Sequence, residues 1–222
     1  TDELLAILLA GVRKVMSGIL RPFSSLSIIQ GGPLFIEGEK SIDVLKALME
    51  YYDKIAQKKA LYTQIRNMWD ASEISSFLKS IGYNYEEHLN FLIDLTISID
   101  MLWRQLFKSR RNGINRAKRR GVIVEEVTDK SLIPVVYNLI QETYKNAKMP
   151  LEDISLFRYT FDILVQKNLA KFFLAKHEDK YIGVIAVLAY NGIVYDWYAG
   201  ASREHLQLCP NDILAVSYTH LR

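Results

Sequence analysis

Apolar residues along the chain recur with two periods. Helical spacing links Ile42, Leu45, Leu48, Met49, Tyr52, Ile55 and Ala56 on one side of a helix expected from Ser41 to about Lys59. It returns within residues 151–168, where Ile154, Phe157, Phe161, Leu164 and Val165 face inward. A further helix is expected over residues 130–147, broken at Met149-Pro150, and a shorter one from Asp70 to Ile81, closed by Gly82. Strands are expected at residues 26–30, 61–66, 90–95 and 122–127. Three more follow in quick order at residues 170–176, 181–190 and 193–199, joined by turns at Glu178-Asp179-Lys180 and Asn191-Gly192. Pro210 then stands where the first turn of a last helix begins.

That order, helix and strand, two helices, a meander and a helix, predicts an α/β (α+β) protein with a central, largely antiparallel sheet. The 222 residues allow one large domain or two small ones, and with half of them hydrophobic a real core is expected. Residues 4–15 are apolar but too short to declare a period, and Gly18 and Pro22 end them. Gly31-Gly32-Pro33-Leu34 reads as a turn after a strand. Both ends are expected to be cut. The chain opens on Thr1 and is apolar by Leu4, and a helical start at residues 213–216 never completes its pattern. No function is placed on His220 or Arg222.

Charge changes the picture at one place. Between Met101 and Val124 there are eight Lys and Arg and no Asp or Glu; with the chain at +3 overall, the rest nets −5. Such a concentration points to a large anionic partner or to a solvated basic face. On a helix of residues 103–121, Trp103, Phe107, Arg110, Ile114 and Ala117 form one stripe, four apolar residues with Arg110 in their middle. Burying an unpaired guanidinium costs several kcal/mol, roughly. Arg110 is therefore expected either to pair with a buried carboxylate or to point into a cleft that holds an anion. Arg104, Lys108, Arg111 and Asn115 line the neighbouring face, and Gly113 hints at a bend or a close approach.

Other chemistries find little support. The four histidines, His88, His177, His205 and His220, lack ligand spacing, so no metal site is expected. No Gly-x-Ser-x-Gly or Walker loop occurs, and Cys209 precedes a proline with no base near it in sequence. This single cysteine fits a reducing, cytoplasmic compartment and reads best as a small buried hydrophobe. No apolar run is long enough to span a membrane. What remains is Tyr195-Asp196-Trp197-Tyr198-Ala199-Gly200-Ala201-Ser202, followed by Pro210-Asn211-Asp212. Strand alternation puts Tyr195, Trp197 and Ala199 on one face and Asp196, Tyr198 and Gly200 on the other. Aromatic and acidic groups at a strand end beside a helix N-terminus can hold a substrate and take a proton, with Asp196 as the candidate base. Asn211 or Asp212 could equally be helix caps.

These residues carry a resemblance. Leu102-Trp103, then Arg110-Arg111-Asn-Gly-Ile114-Asn-Arg116-Ala117-Lys-Arg-Arg-Gly121-Val122, resembles the signature of the Fem-type (FemAB) peptidyltransferases. Gly31-Gly32-Pro33-Leu34, Ile81-Gly82-Tyr83 and Ile93-Asp94-Leu95-Thr96 are similar to that family's first-domain landmarks; Tyr198-Ala-Gly200-Ala201-Ser202 and Pro210-Asn-Asp-Ile-Leu214 are similar to its second-domain landmarks. The resemblance implies tandem GNAT-like domains, the first incomplete at residues 1–95 and the second at residues 96–222. It implies transfer of an aminoacyl group from charged tRNA to an amine of a cell-wall peptide precursor that carries a nucleotide or lipid diphosphate. Arg110 or Arg111 would face that diphosphate, Tyr198 would line the pocket, and Ser202 and Asn211 would join the substrate site. Arg104, Lys108, Lys118, Arg119 and Arg120 could meet the tRNA backbone, and a lipid-linked acceptor would bring the protein to a membrane surface. No resident cofactor is expected, the donor being a co-substrate. The alternatives are an acyl-CoA-dependent GNAT-like N-acyltransferase of polysaccharide or cell-envelope biosynthesis, and a non-catalytic RNA-binding module. The first lacks a glycine-containing pyrophosphate loop between Ser202 and Pro210; the second lacks aromatic residues interleaved with the cations, since Phe107 is expected on the core stripe.

Overall fold

Strands β1 (Ala6–Ile7) and β2 (Ala10–Lys14) resolve the ambiguous apolar start, and β3 (Ser25–Gln30) and β4 (Leu34–Phe35) follow across the glycine turn. This is a computed structural model that describes residues 3–14, 16, 19, 23–38, 40–67 and 70–217; the expected breakers Gly18 and Pro22, and the tail at 218–222, lie outside those residues. The chain divides into two units, Thr1–Leu92 and Ile93–Arg222. In the first, α1 (Ser41–Ala56) crosses between β3 and β5 (Tyr62–Arg66), which pair in parallel, while β2 adds to β3 antiparallel. A parallel pair needs such a crossover. Leu45, Met49, Tyr52 and Ala56 of α1 pack with Ile29 and with Ile74 and Leu78 of α2 (Ser72–Ser80). Tyr52 keeps its hydroxyl satisfied by donating to Ser27 Oγ at 2.7 Å.

The expected strand at residues 90–95 is absent. The backbone there is irregular, and Leu89, Phe91 and Leu92 remain exposed. Its composition suits a strand, but among the described residues no neighbouring strand pairs with it, and an unpaired strand leaves its backbone groups to water.

The second unit carries α3 (Ile99–Gln105), α4 (Lys108–Arg119), β6 (Ile123–Glu126), α5 (Ile133–Asn146) and α6 (Ile154–Ile163). The meander β7 (Ala170–His177), β8 (Lys180–Tyr190) and β9 (Ile193–Ala201) follows, and then α7 (Pro210–Ser217). The four strands form an antiparallel sheet in the order β6-β7-β8-β9. The outlines match the expectation, but the helices are shorter. Lys130–Leu132 is a 3-10 turn ahead of α5, and Val165–Lys167 another after α6, whose start is capped by Asp153 accepting from Ser155 N at 2.9 Å.

Two apolar layers sandwich this sheet. On one face Phe172, Leu174, Val184, Ala186 and Tyr198 pack with Ile140 of α5 and Phe157 of α6. On the other, Phe173, Ala175, Ile185 and Val187 pack with Ala117 of α4 and Leu214 of α7. Gly200 brings α5 onto β9: a Cβ there would stand 2.5 Å from Leu139 O and 2.7 Å from Ile140 Cα.

Two sequence expectations fail here for identifiable reasons. The single basic helix is two, because Leu106 (ψ 138°) and Phe107 (ψ 144°) are extended between α3 and α4. The stripe drawn through Trp103 and Phe107 therefore loses its phase, and Phe107 is 82% exposed rather than inward-facing. The strict alternation of β9 also breaks. Ala186 pairs with Tyr198 but Val187 pairs with Asp196, so Trp197 is the extra residue of a β-bulge. Asp196 thus shares the face of Val187 and α7, whereas Trp197 and Tyr198 both pack against Phe157 on the α6 face.

Candidate functional site

Beside their apolar contact, α4 and α7 are joined by an ion pair. Arg110 Nη1 donates to Asp212 Oδ1 at 2.9 Å, with the arginine side chain 67% exposed and the aspartate only 16%. Arg110 falls on the helical stripe defined by the buried Gly113, Ile114 and Ala117, so its stem leaves the core edge while its head reaches solvent. Gly113 is the device that allows this. A Cβ at that position would overlap the Asp212 carboxylate and stand 2.9 Å from its Cγ. The close approach expected of Gly113 is real, and its partner is Asp212. One Nη1 bond leaves the other donors of the guanidinium fork available to an anion.

Arg111 does something different. Its Nη1 donates to Trp103 O at 3.4 Å and Arg104 O at 3.2 Å, covering the last carbonyls of α3 where the helix is interrupted. Its position holds the α3–α4 joint. Around the pair, Arg104, Lys108, Arg116, Lys118 and Arg120 are exposed, and none has an ion-pair partner among the described residues. Arg119 is exposed too, its Nε donating to Asn115 O at 3.3 Å.

The remaining expected site residues are dispersed. Tyr198 is buried, its ring 5.0 Å from Phe157 and 5.6 Å from Tyr144, in the layer opposite α4 and α7. The sheet therefore stands between Tyr198 and Arg110. Asp196 lies on edge strand β9, on the face of α7, exposed at the sheet edge, and partial desolvation there raises its carboxyl above the ordinary aspartate range. Asn211 is exposed beside Asp212. Ser202 is half-buried, with its Oγ 3.4 Å from His205 Nδ1.

Between β9 and α7 the chain forms a 3-10 helix, Arg203–Leu208, ending in Cys209 at φ 55°. Amides in and beside it bond within the protein: Ser202 N donates to Ile182 O, His205 N to Ser202 O and Cys209 N to Leu206 O. Arg203 N donates to the Glu142 carboxylate at 2.9 Å. Sequence reading missed Glu142, which carries no local signal, and saw Asp212 as candidate chemistry or a cap but not as the mate of Arg110, because a partner 102 positions away is invisible to periodicity. Among the described residues no group of three or more His, Cys, Asp and Glu is placed to hold a metal, and no helix is long and apolar enough to cross a membrane.

The order β6, α5, α6, β7, β8, β9, α7 is matched by a known family. The profile described as "Acetyltransferase (GNAT) domain" covers residues 104–218, more than half the chain. The chain belongs to the GNAT acetyltransferase domain family. The solved structure of FemX superposes with a TM-score of 0.65 at 16% identity, covering 99% of this GNAT chain and 73% of FemX. The C-terminal DUF2156 domain of a protein assigned as a lysylphosphatidylglycerol synthetase from Agrobacterium fabrum superposes at 0.53 with 15% identity, covering 98% of this chain and 63% of that one. At these identities the likeness is one of fold. One curated protein, the CRISPR system endoribonuclease Csx1 of Methanocaldococcus jannaschii, is 27% identical over 150 residues, 67% of this chain. The chain spans 28% of that relative's length.

Proposed function

We propose that the protein transfers an aminoacyl group from charged tRNA to an amine of a cell-wall peptide precursor, with Arg110 facing the precursor's diphosphate. The observation that carries this reading is the Arg110–Asp212 pair at the core edge of a helix whose other exposed cations have no carboxylate partner among the described residues. Asp212 fixes the direction of the guanidinium but offsets much of its charge. The unpaired neighbours, Lys108 and Arg104 among them, restore a positive field for a doubly charged ligand. Arg111, whose Nη1 is held on the α3 carbonyls, is the weaker choice for the diphosphate. Tyr198 belongs to the wall behind the sheet, and Ser202 and Asn211 flank the start of α7.

The chemistry is attack of the acceptor amine on the donor ester carbonyl: the new amide C–N bond forms, the ester C–O bond breaks, and the tRNA hydroxyl leaves with a proton. The protein's part is to position both substrates and to accept the amine's proton. Asp196 suits the second task, because a carboxyl held above the aspartate range is a stronger base than a free one. Support for charged tRNA over acyl-CoA comes from the β9–α7 connection. A pyrophosphate needs free amides, and in this connection the amides of Ser202, Arg203, His205 and Cys209 donate to protein oxygens, that of Arg203 to the Glu142 carboxylate. A membrane-apposed, cytoplasmic site follows if the acceptor is lipid-linked.

The test is binding of a diphosphate-bearing peptide precursor to the full-length protein. Arg110→Ala should lose about tenfold or more in affinity while staying folded, a charged hydrogen bond being worth about 1.5–3 kcal/mol. Unchanged affinity would remove Arg110 from the site, and unfolding would make the pair purely structural.

A further inference from the structure

We infer that Phe107 is a stacking platform for an unpaired RNA base, set in the basic surface of α3 and α4; this deepens the donor reading above by saying where the single-stranded end of the RNA lies. The side chain is 82% exposed, although a phenylalanine at the start of a helix ordinarily turns inward. It stays out because Leu106 and Phe107 are both extended, and it is Leu106 that is half-buried. Arg111 braces this geometry by donating from the first turn of α4 to the α3 carbonyls. The exposed ring is therefore held by a built joint on ordered helices.

Its surroundings specify the partner. Arg104 and Lys108 flank the ring in sequence, both exposed and without ion-pair partners among the described residues, and no acid occurs between Met101 and Val124. An aromatic face among unpaired cations is the pattern that binds single-stranded nucleic acid, bases stacking on the ring while phosphates meet the cations. The same charges would attract an anionic lipid surface. A helix lying on a membrane, however, needs an apolar face to bury. The buried positions of α4, Gly113, Ile114 and Ala117, are already committed to the core, and its exposed positions are polar: Asn112, Asn115, Arg116, Lys118 and Arg119. Along α3, α4 and their joint the exposed large apolar residues are Ile99, Met101 and Phe107, which supply a stacking contact and little insertion area beside the cations. RNA is the better fit.

The experiment compares full-length wild-type protein with Phe107→Ala, Phe107→Trp and Lys108→Ala. Each binds a short single-stranded RNA, a duplex RNA of equal length, and vesicles of mixed phosphatidylcholine and phosphatidylglycerol. Phe107→Ala should weaken single-strand binding about tenfold, with the slope of log K against log salt unchanged. Lys108→Ala should instead reduce that slope. Phe107→Trp should retain affinity, and its added emission should be quenched by the single strand and not by the duplex. Wild-type affinity in Phe107→Ala, or an equal loss on single strand and duplex, overturns the platform. So does loss of vesicle binding with RNA binding intact, which would make this a membrane contact. Loss of single-strand affinity in a protein that transfers nothing from charged tRNA would keep the platform and remove the donor reading. Wild-type affinity in Phe107→Ala beside normal transfer would do the reverse.

Discussion

At the scale of single residues, the account turns on Gly113, Arg110 and Asp212. An alanine at position 113 would gain about 1 kcal/mol in helix propensity, yet its methyl would take the space of the Asp212 carboxylate. Gly113→Ala is therefore expected to give no rise in thermal stability and to weaken precursor binding as Asp212→Asn does. A stabilised variant with full affinity would show that the pair is incidental. Asp196 makes a prediction about pH. Partial desolvation raises its carboxyl, so between the ordinary aspartate value and the raised one the folded protein holds a proton that the unfolded chain has lost. The stability this group contributes is complete below the ordinary value and is lost as pH rises through the raised one. Urea titrations at several pH values should show that slope in the wild type and its absence in Asp196→Asn. If Asp196 is the base, the same variant should slow transfer about 100-fold or more; an unchanged rate assigns the proton elsewhere. Arg110's need for a partner was legible in sequence, because a guanidinium on an apolar stripe has few options. The identity of that partner was not, since only folding brings α7 against α4.

At the scale of elements, helices and strands with a clear apolar period were legible nearly to their ends, as α1 and the β7–β9 meander show. The irregularities were not. Neither Gly nor Pro marks the α3–α4 break, and nothing local marks the bulge at Trp197, which exists because two strands of a twisted sheet shift register. Both irregularities decide function-bearing geometry. The first exposes Phe107, and the second turns Asp196 to the face of α7 and away from Tyr198. The tight seat of α5 on β9 yields a further prediction. Gly200→Ala places a methyl against helix backbone, which cannot swing aside as a side chain can, and should cost about 3 kcal/mol or more in chemical denaturation. A cost near zero would mean that α5 is free to lift from the sheet.

At the scale of the molecule, the chain belongs to the GNAT domain family, while the proposed acyl transfer, its donor and its acceptor rest on the surface of α4 and on the β9–α7 connection. The basic stretch that dominates the sequence divides its labour. Arg110 is pinned at the core edge, Arg111 braces a joint, and the others form an open positive surface, the one proposed for RNA. The measurement that tests this most directly offers the full-length protein, with an amine-bearing precursor, a radiolabelled amino acid on its tRNA or labelled acetyl-CoA, and follows label into the precursor. Label should arrive from charged tRNA, and Arg110→Ala should reduce it. Label arriving from acetyl-CoA and not from tRNA would contradict the account.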